Sequence, residues 1–245
     1  MGRLYFDSNQ KSDISEYIFS ELVGTIERVE PYKVKPNYKP SSIDCVRKMY
    51  YIMKSMPIDL SKEDYQFIGI CESGTDRHKR IQDAFKSSKN IEFLSVKDYV
   101  EKSNIDYLKV NSFNDYETHL FDNRYKLSFM CDGLIKVKGK VYILEIKTES
   151  NQKFYTHSEP YFKHIEQATC YSISLGIDDI IFLYENRDLL TKNIYHYKIK
   201  ASDKRLILNR IKRCEEALEG NYIPPKPPEA VGSFCQYCDY KKYCR

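Results

Sequence analysis

Between residues 13 and 29, apolar side chains recur at Ile14, Ile18, Leu22 and Ile26, with Asp13 and Glu16 spaced as a capping box. The interval of four predicts an amphipathic helix, whose stripe is expected to pack on the rest of the protein. Residues 30–42 hold three prolines and no helical period, which reads as an extended connector. Ser41 or Ser42 can then cap a second helix over 43–56, with Cys45 in its first turn. A third helix is expected over 73–88, with His78 near its N-terminal end, and a short fourth over 96–104.

From about residue 116 the period changes to two. "YETHLF", "YKLSFMCDGLIKV" and "VYILEIK" predict a three-stranded meander with turns at Asp122-Asn123 and Lys138-Gly139. Both alternating sets of the last strand are largely apolar, so the sheet should be covered on both faces. A fifth helix ends at Gly176. Strands over 179–186 and 193–200 follow, then a helix over 203–220, the proline-rich "IPPKPPEA" and the terminal "FCQYCDYKKYC". Strands and helices in this order predict an α/β fold with helices packed on a central mixed sheet. One domain over 1–245 is expected, divided into an N-terminal helix and connector (1–40), a core (41–200) and a C-terminal helix with its cysteine tail (201–245).

The hairpin about Lys138-Gly139 places residues whose numbers sum to 277 opposite one another, so Asp132 faces Glu145. Facing carboxylates repel. Lys147, two residues beyond Glu145, projects from the same face. It can neutralise one acid and leaves the other uncompensated among Leu134, Val141 and Ile143, where an unpaired charge is costly. A divalent hard cation supplies the missing charge, because Mg²⁺ is held by one or two carboxylates and stabilises charge on a phosphoryl oxygen. A nearby lysine can orient or help deprotonate the attacking water.

Composition narrows the setting. The 245 residues are 42% hydrophobic and 30% charged, with a net charge of +4. These values describe a globular chain and do not by themselves announce nucleic-acid binding. Local basic clusters at 77–80, 210–213 and 241–245 are the candidates for a backbone-guiding surface. No 18-residue apolar run and no signal-peptide core occur, so the expected location is cytoplasmic, with no membrane partner. The phosphate-loop pattern is absent, so ATP-driven unwinding would belong to a partner.

Eight cysteines without an export signal argue for metal binding, catalysis or packing rather than disulfides. Cys235, Cys238 and Cys244 form C-x₂-C-x₅-C and suggest a metal site lacking one ligand. Packing is the default for Cys131, Cys170 and Cys214. Cys45 and Cys71 stay open on these grounds, and a Cys₄ zinc site and an iron-sulfur cluster both take four thiolates.

"CDGLI" followed by "LEIKTES" resembles the D…(D/E)xK signature of the PD-(D/E)XK nuclease superfamily. "GTDRH", with Gly74 and His78, resembles its upstream Gly-xxx-His motif. "QATCY", with Gln167 and Tyr171, resembles the downstream Gln-xxx-Tyr motif of the RecB-type group. "SSIDCVRKMYY" is similar to the Cys-x-Arg-x-x-Tyr-Tyr segment of that group's iron-sulfur members, which include CRISPR-associated exonucleases and AddB-type subunits. The resemblance implies a restriction-endonuclease-like core and a Mg²⁺- or Mn²⁺-dependent DNA exonuclease acting on single strands or ends. Asp132, Glu145 and Lys147 would be catalytic. His78, Asp132, Glu145 and the carbonyl of Ile146 would hold the metal, and Gln167 and Tyr171 would contact DNA. Cys45, Cys235, Cys238 and Cys244 would ligate a [4Fe-4S] cluster, with zinc as the alternative. Implied partners are DNA and a helicase, recombinase or CRISPR-adaptation protein. The competing reading is a catalytically weak DNA-binding or partner subunit of the same fold. Cys131 stands where the superfamily name has proline.

Overall fold

The computed structural model describes residues 13–26, 34–58, 65–226, 235 and 238–244. Its elements are α1 (Asp13–Ile26), α2 (Val46–Met53), α3 (Tyr65–Lys86), β1 (Glu92–Leu94), α4 (Val96–Lys102), β2 (Leu108–Phe113), β3 (Thr118–Asp122), β4 (Leu127–Cys131), β5 (Gly133–Val137), β6 (Lys140–Glu149), α5 (Asn151–Phe154), α6 (Phe162–Leu175), β7 (Asp179–Asn186), β8 (Lys192–Lys198) and α7 (Ala201–Glu219). The fold is the expected α/β arrangement, a central mixed sheet flanked by helices. That sheet has the order β1-β5-β6-β7-β8. Its pairs are antiparallel except β6 with β7, which is parallel. A parallel pair needs a crossover. Here α5 and α6 provide it, and Gly176 at φ 72° stops α6 in the left-handed conformation that glycine adopts freely.

Strand β6 is covered on both faces. Leu144 and Ile146 pack with Ile81 of α3, Ile135 and Leu183, while Ile143 joins Leu134, Ala168 of α6, Ile180 and Phe182 in the larger core. The β5–β6 register follows the sum of 277, from Gly133 opposite Leu144 to Val137 opposite Lys140. Positive φ at both Lys138 and Gly139 makes the connection a type I′ turn, whose twist suits a two-residue hairpin.

The meander expected over 116–147 is not one sheet. The strand read through 125–137 is interrupted at Asp132: β4 pairs with β3 in a separate β2-β3-β4 sheet, and β5 enters the central one. The break lies at Gly133, whose φ is +157° and over whose missing side chain the Phe93 ring packs. A Cβ there would lie 2.6 Å from that ring. Gly133→Ala is therefore expected to destabilise the protein by about 1–3 kcal/mol, the usual range for overpacking. Chemical denaturation checks this, and adding Phe93→Leu should restore part of the loss.

Other differences have local causes. Helix α3 starts at Tyr65 rather than 73, its earlier turns masked in sequence by Gly69 and Gly74. Cys45 caps α2 from outside, its Sγ accepting from the Lys48 N–H at 3.4 Å, rather than lying within the first turn. The short β1 and the mostly exposed β2 lack alternation and were not anticipated. The stripe of α1 does not pack inward as expected, since Ile14, Ile18 and Leu22 are all more than half exposed. Among the described residues no helix is long and apolar enough to cross a membrane.

Candidate active site

The interruption at Asp132 places its carboxylate at the end of β5, where a continuing strand would have offered backbone partners. Its Oδ2 takes that place and accepts the Ile146 N–H at 2.7 Å. Its Oδ1 accepts from Nδ1 of His78, on α3, at 3.2 Å. Glu145 lies on β6 and is 1% exposed. Lys147 Nζ forms an ion pair with Glu145 Oε1 at 2.5 Å, and that buried oxygen has no regular hydrogen bond besides it. The expected convergence of Asp132, Glu145, Lys147 and His78 is thus present, with α3, the β5 end and β6 each contributing. Ile146 meets Asp132 through its N–H.

The charges follow from this geometry. Burial, with Asp132 close by, pushes the Glu145 carboxyl up to about 7 against the pull of Lys147. Burial also works on Asp132, but the His78 hydrogen bond, Lys147 and the Ile146 N–H together hold it below the usual carboxylate range. Desolvation opposes the charge on Lys147, and the two carboxylates outweigh it, so the side chain is a firmly held ammonium. His78 is likewise raised, burial being overcome by Asp132.

Among the described residues no three His, Cys, Asp or Glu side chains converge as a ready-formed metal cage. The donor chemistry nevertheless fits a hard divalent cation. A buried carboxylate oxygen without a hydrogen-bond donor costs about 1–3 kcal/mol, and Mg²⁺ favours such oxygens.

On α6, Gln167 Oε1 accepts from Lys147 Nζ at 3.1 Å, and Gln167 Nε2 donates to Tyr171 Oη at 2.8 Å. The Tyr171 ring is 3% exposed and stacks on Phe129 at 5.3 Å. Its hydroxyl is therefore placed to hold Gln167. Two side chains near this helix face were missed. His164, one turn before Gln167, receives through Nδ1 a hydrogen bond from Tyr184 Oη at 2.7 Å, and burial with nearby lysines lowers its pKa to about 3. Gln82, one turn after His78 on α3, donates to the Asp132 carbonyl at 2.5 Å. Helical spacing from Gln167 and from His78 was the only sequence signal for either.

The basic cluster at 77–80 is partly committed within the fold. Arg80 donates to both oxygens of Glu185, at 2.6 and 2.7 Å, and Arg77 and Lys192 approach the same fully buried carboxylate. Three cations share this one acid, Arg77 and Arg80 from α3 and Lys192 from β8, so the local balance is positive. Burial raises the Glu185 pKa, but Arg80 and Lys192 bring it below its ordinary value. A depressed folded pKa adds stability above the unfolded value of about 4.3 and loses it as pH falls through the folded one. Glu185→Gln should accordingly flatten the acid limb of a melting-temperature profile below about pH 5. In the 210–213 cluster, Arg210 is committed to Glu166 and to the Ile43 carbonyl.

The cysteine tail reaches α2. Tyr51 packs on Tyr240 and Tyr243, its hydroxyl donates to the Tyr243 carbonyl at 2.8 Å, and the Tyr243 hydroxyl donates to the Pro57 carbonyl at 3.0 Å. Burial raises the pKa of the Cys45 and Cys238 thiols. Cys235 is half-buried. Cys131, Cys170 and Cys214 are buried in the core, as packing predicts, and Cys71 is exposed on α3.

No family model matches the chain, and no curated protein matches it. Among solved structures it is similar to SSO0001, at 14% identity over 96% of this chain and 98% of the other, with a TM-score of 0.46. It is also similar to LHK-Exo in complex with dAMP, at 11% identity over 76% of this chain and 89% of the other, with a TM-score of 0.49. A further structure of LHK-Exo, an alkaline exonuclease from Laribacter hongkongensis, shares 12% identity over 82% of this chain and 93% of the other, with a TM-score of 0.43.

Proposed function

We propose that the chain is a Mg²⁺- or Mn²⁺-dependent DNA nuclease, an exonuclease acting on single-stranded or end-containing DNA. The observation that carries this reading is the buried Glu145 carboxylate, ion-paired with Lys147 at 2.5 Å and close to an Asp132 that His78 and the Ile146 N–H hold in place. A cation held there by Asp132, Glu145, the Ile146 carbonyl and His78 supplies Lewis-acid stabilisation of phosphoryl charge. Lys147, held as an ammonium and fixed by Gln167 and Tyr171, orients the attacking water and donates to a phosphoryl oxygen. Its protonation favours the orienting role over proton removal. The positive surplus of Arg77, Arg80 and Lys192 suits a phosphate backbone approaching along α3. Partner proteins would be those that create or present DNA ends: a helicase, a recombinase or a CRISPR-adaptation protein.

The same proposal gives Cys45, Cys235, Cys238 and Cys244 a four-thiolate centre, a [4Fe-4S] cluster with zinc as the alternative. Its support is the docking of residues 238–244 against α2, the helix that Cys45 caps.

Anaerobically purified protein is expected to be brown and to degrade linear DNA with Mg²⁺ or Mn²⁺ and not with EDTA. Binding of DNA without cutting, unchanged in Lys147→Ala, would make it a binding subunit instead. Colourless zinc-loaded protein without cleavage would overturn the nuclease reading and the iron-sulfur assignment, leaving the zinc alternative for the four thiolates.

A further inference from the structure

Gln82 is a buried polar side chain, 1% exposed, on a helix face that a sequence reading treats as ordinary α3 surface. Its Nε2 donates both to the Asp132 carbonyl, at 2.5 Å, and to the Tyr116 carbonyl in the β2–β3 turn, at 3.0 Å. Its own Oε1 is buried and has no partner. Buried polar groups in folded proteins are nearly always paired, so an orphan acceptor retained in the interior calls for a compensating role. A methionine or leucine would fill the space without that orphan.

The role is visible in what the donor holds. Asp132 sits where β4 leaves one sheet and β5 enters another, so no strand ladder fixes its peptide. His78 and Gln82, four residues apart, share one face of α3. The first grips the carboxylate and the second grips the main-chain carbonyl of the same residue. With the Ile146 N–H on Oδ2, Asp132 is held at three points.

We propose that Gln82 is a positioning residue that sets the Asp132 carboxylate for cation binding. This rests on the reading of Asp132 as a metal ligand. The Gln82 amide is then part of the outer shell whose loss typically lowers metal affinity about 10- to 100-fold.

Two measurements on the full chain test it. Mn²⁺ binding, followed by calorimetry, should weaken by about 10- to 100-fold in Gln82→Met. In metal-free protein, hydrogen exchange at the Ile146 amide should accelerate by about tenfold or more as Asp132 loosens, while the Ile135 amide within the hairpin stays protected. Ile207→Val in α7 serves as a mildly destabilised control and should keep wild-type Mn²⁺ affinity and Ile146 protection. If Gln82→Met does not fold, Gln82→Leu, which likewise removes both donors and the orphan acceptor, carries the same test with the same effects expected. Wild-type Mn²⁺ affinity and Ile146 exchange in the Gln82 variant, with binding abolished in Asp132→Asn, would overturn the positioning role alone. Unchanged binding in Asp132→Asn would overturn the ligand assignment and the positioning role with it.

Discussion

Glu145→Gln is expected to reduce metal-dependent DNA degradation by about 10³-fold or more while leaving the melting temperature of the metal-free protein unchanged or higher. The loss in rate is of the size seen when a preorganised charge-stabilising group is removed from a reaction centre. The stability expectation comes from the carboxylate's surroundings. Glu145 is 1% exposed, lies close to Asp132, and has Lys147 as its one ion-pair partner, which does not offset the cost of its burial. An amide of the same shape removes the desolvated charge and the repulsion. Lys147 keeps Gln167 as an acceptor and Asp132 as a counter-charge. Active groups commonly sit where they weaken the fold, and their replacement releases that cost. Parallel nuclease assays and thermal melts in EDTA decide the matter: activity within about tenfold of wild type would remove Glu145 from the reaction centre.

Cys45→Ala should cost the second largest amount, in stability rather than in chemistry. The terminal segment returns to α2 across 192 residues, as counted by the Tyr51 to Tyr243 hydrogen bond. A cross-link closing a loop of this length is worth up to about 5 kcal/mol in the chain-entropy account. At roughly 2–4 °C per kcal/mol for a chain of this size, the melting temperature should fall by about 10 °C or more, with loss of bound metal. The tyrosine contacts of residues 240 and 243 temper the effect, because they tie the same segments without a metal. A Cys45→Ala protein with full metal content and wild-type melting would show that the tail is fastened by packing alone.

The parts that could be read in advance were those specified locally. Lys138-Gly139 between alternating runs determines a hairpin register on its own, and that register holds from Val137 opposite Lys140 to Gly133 opposite Leu144. Gly176 marked the end of α6, and Gln167 and Tyr171 lie one turn apart by helical geometry. The break at Asp132 was hidden because a period of two continues across it. What interrupts the strand is a backbone angle at Gly133 and a ring from β1, some 40 residues earlier in the chain (93 to 133). Gln82 was invisible for a related reason, since a glutamine in a helix reads as solvated until its burial is known. The commitment of Arg80 and Arg210 to buried carboxylates was likewise beyond composition, which counts charges without their partners. The choice of Cys45 as a fourth thiol came from resemblance, and what the fold adds is its place at the cap of α2.

The division of labour around Asp132 also orders events in time. A two-residue hairpin closes within microseconds, so the β5–β6 turn can bring the two acids face to face while the chain is otherwise open. The counter-charges arrive at different times: Lys147 belongs to β6 itself and comes with the hairpin, whereas His78 sits on a helix 54 residues from Asp132 along the chain and joins only when that larger loop has closed. During folding Glu145 therefore meets its counter-charge first, and Asp132 is the acid that waits for a partner from elsewhere in the chain.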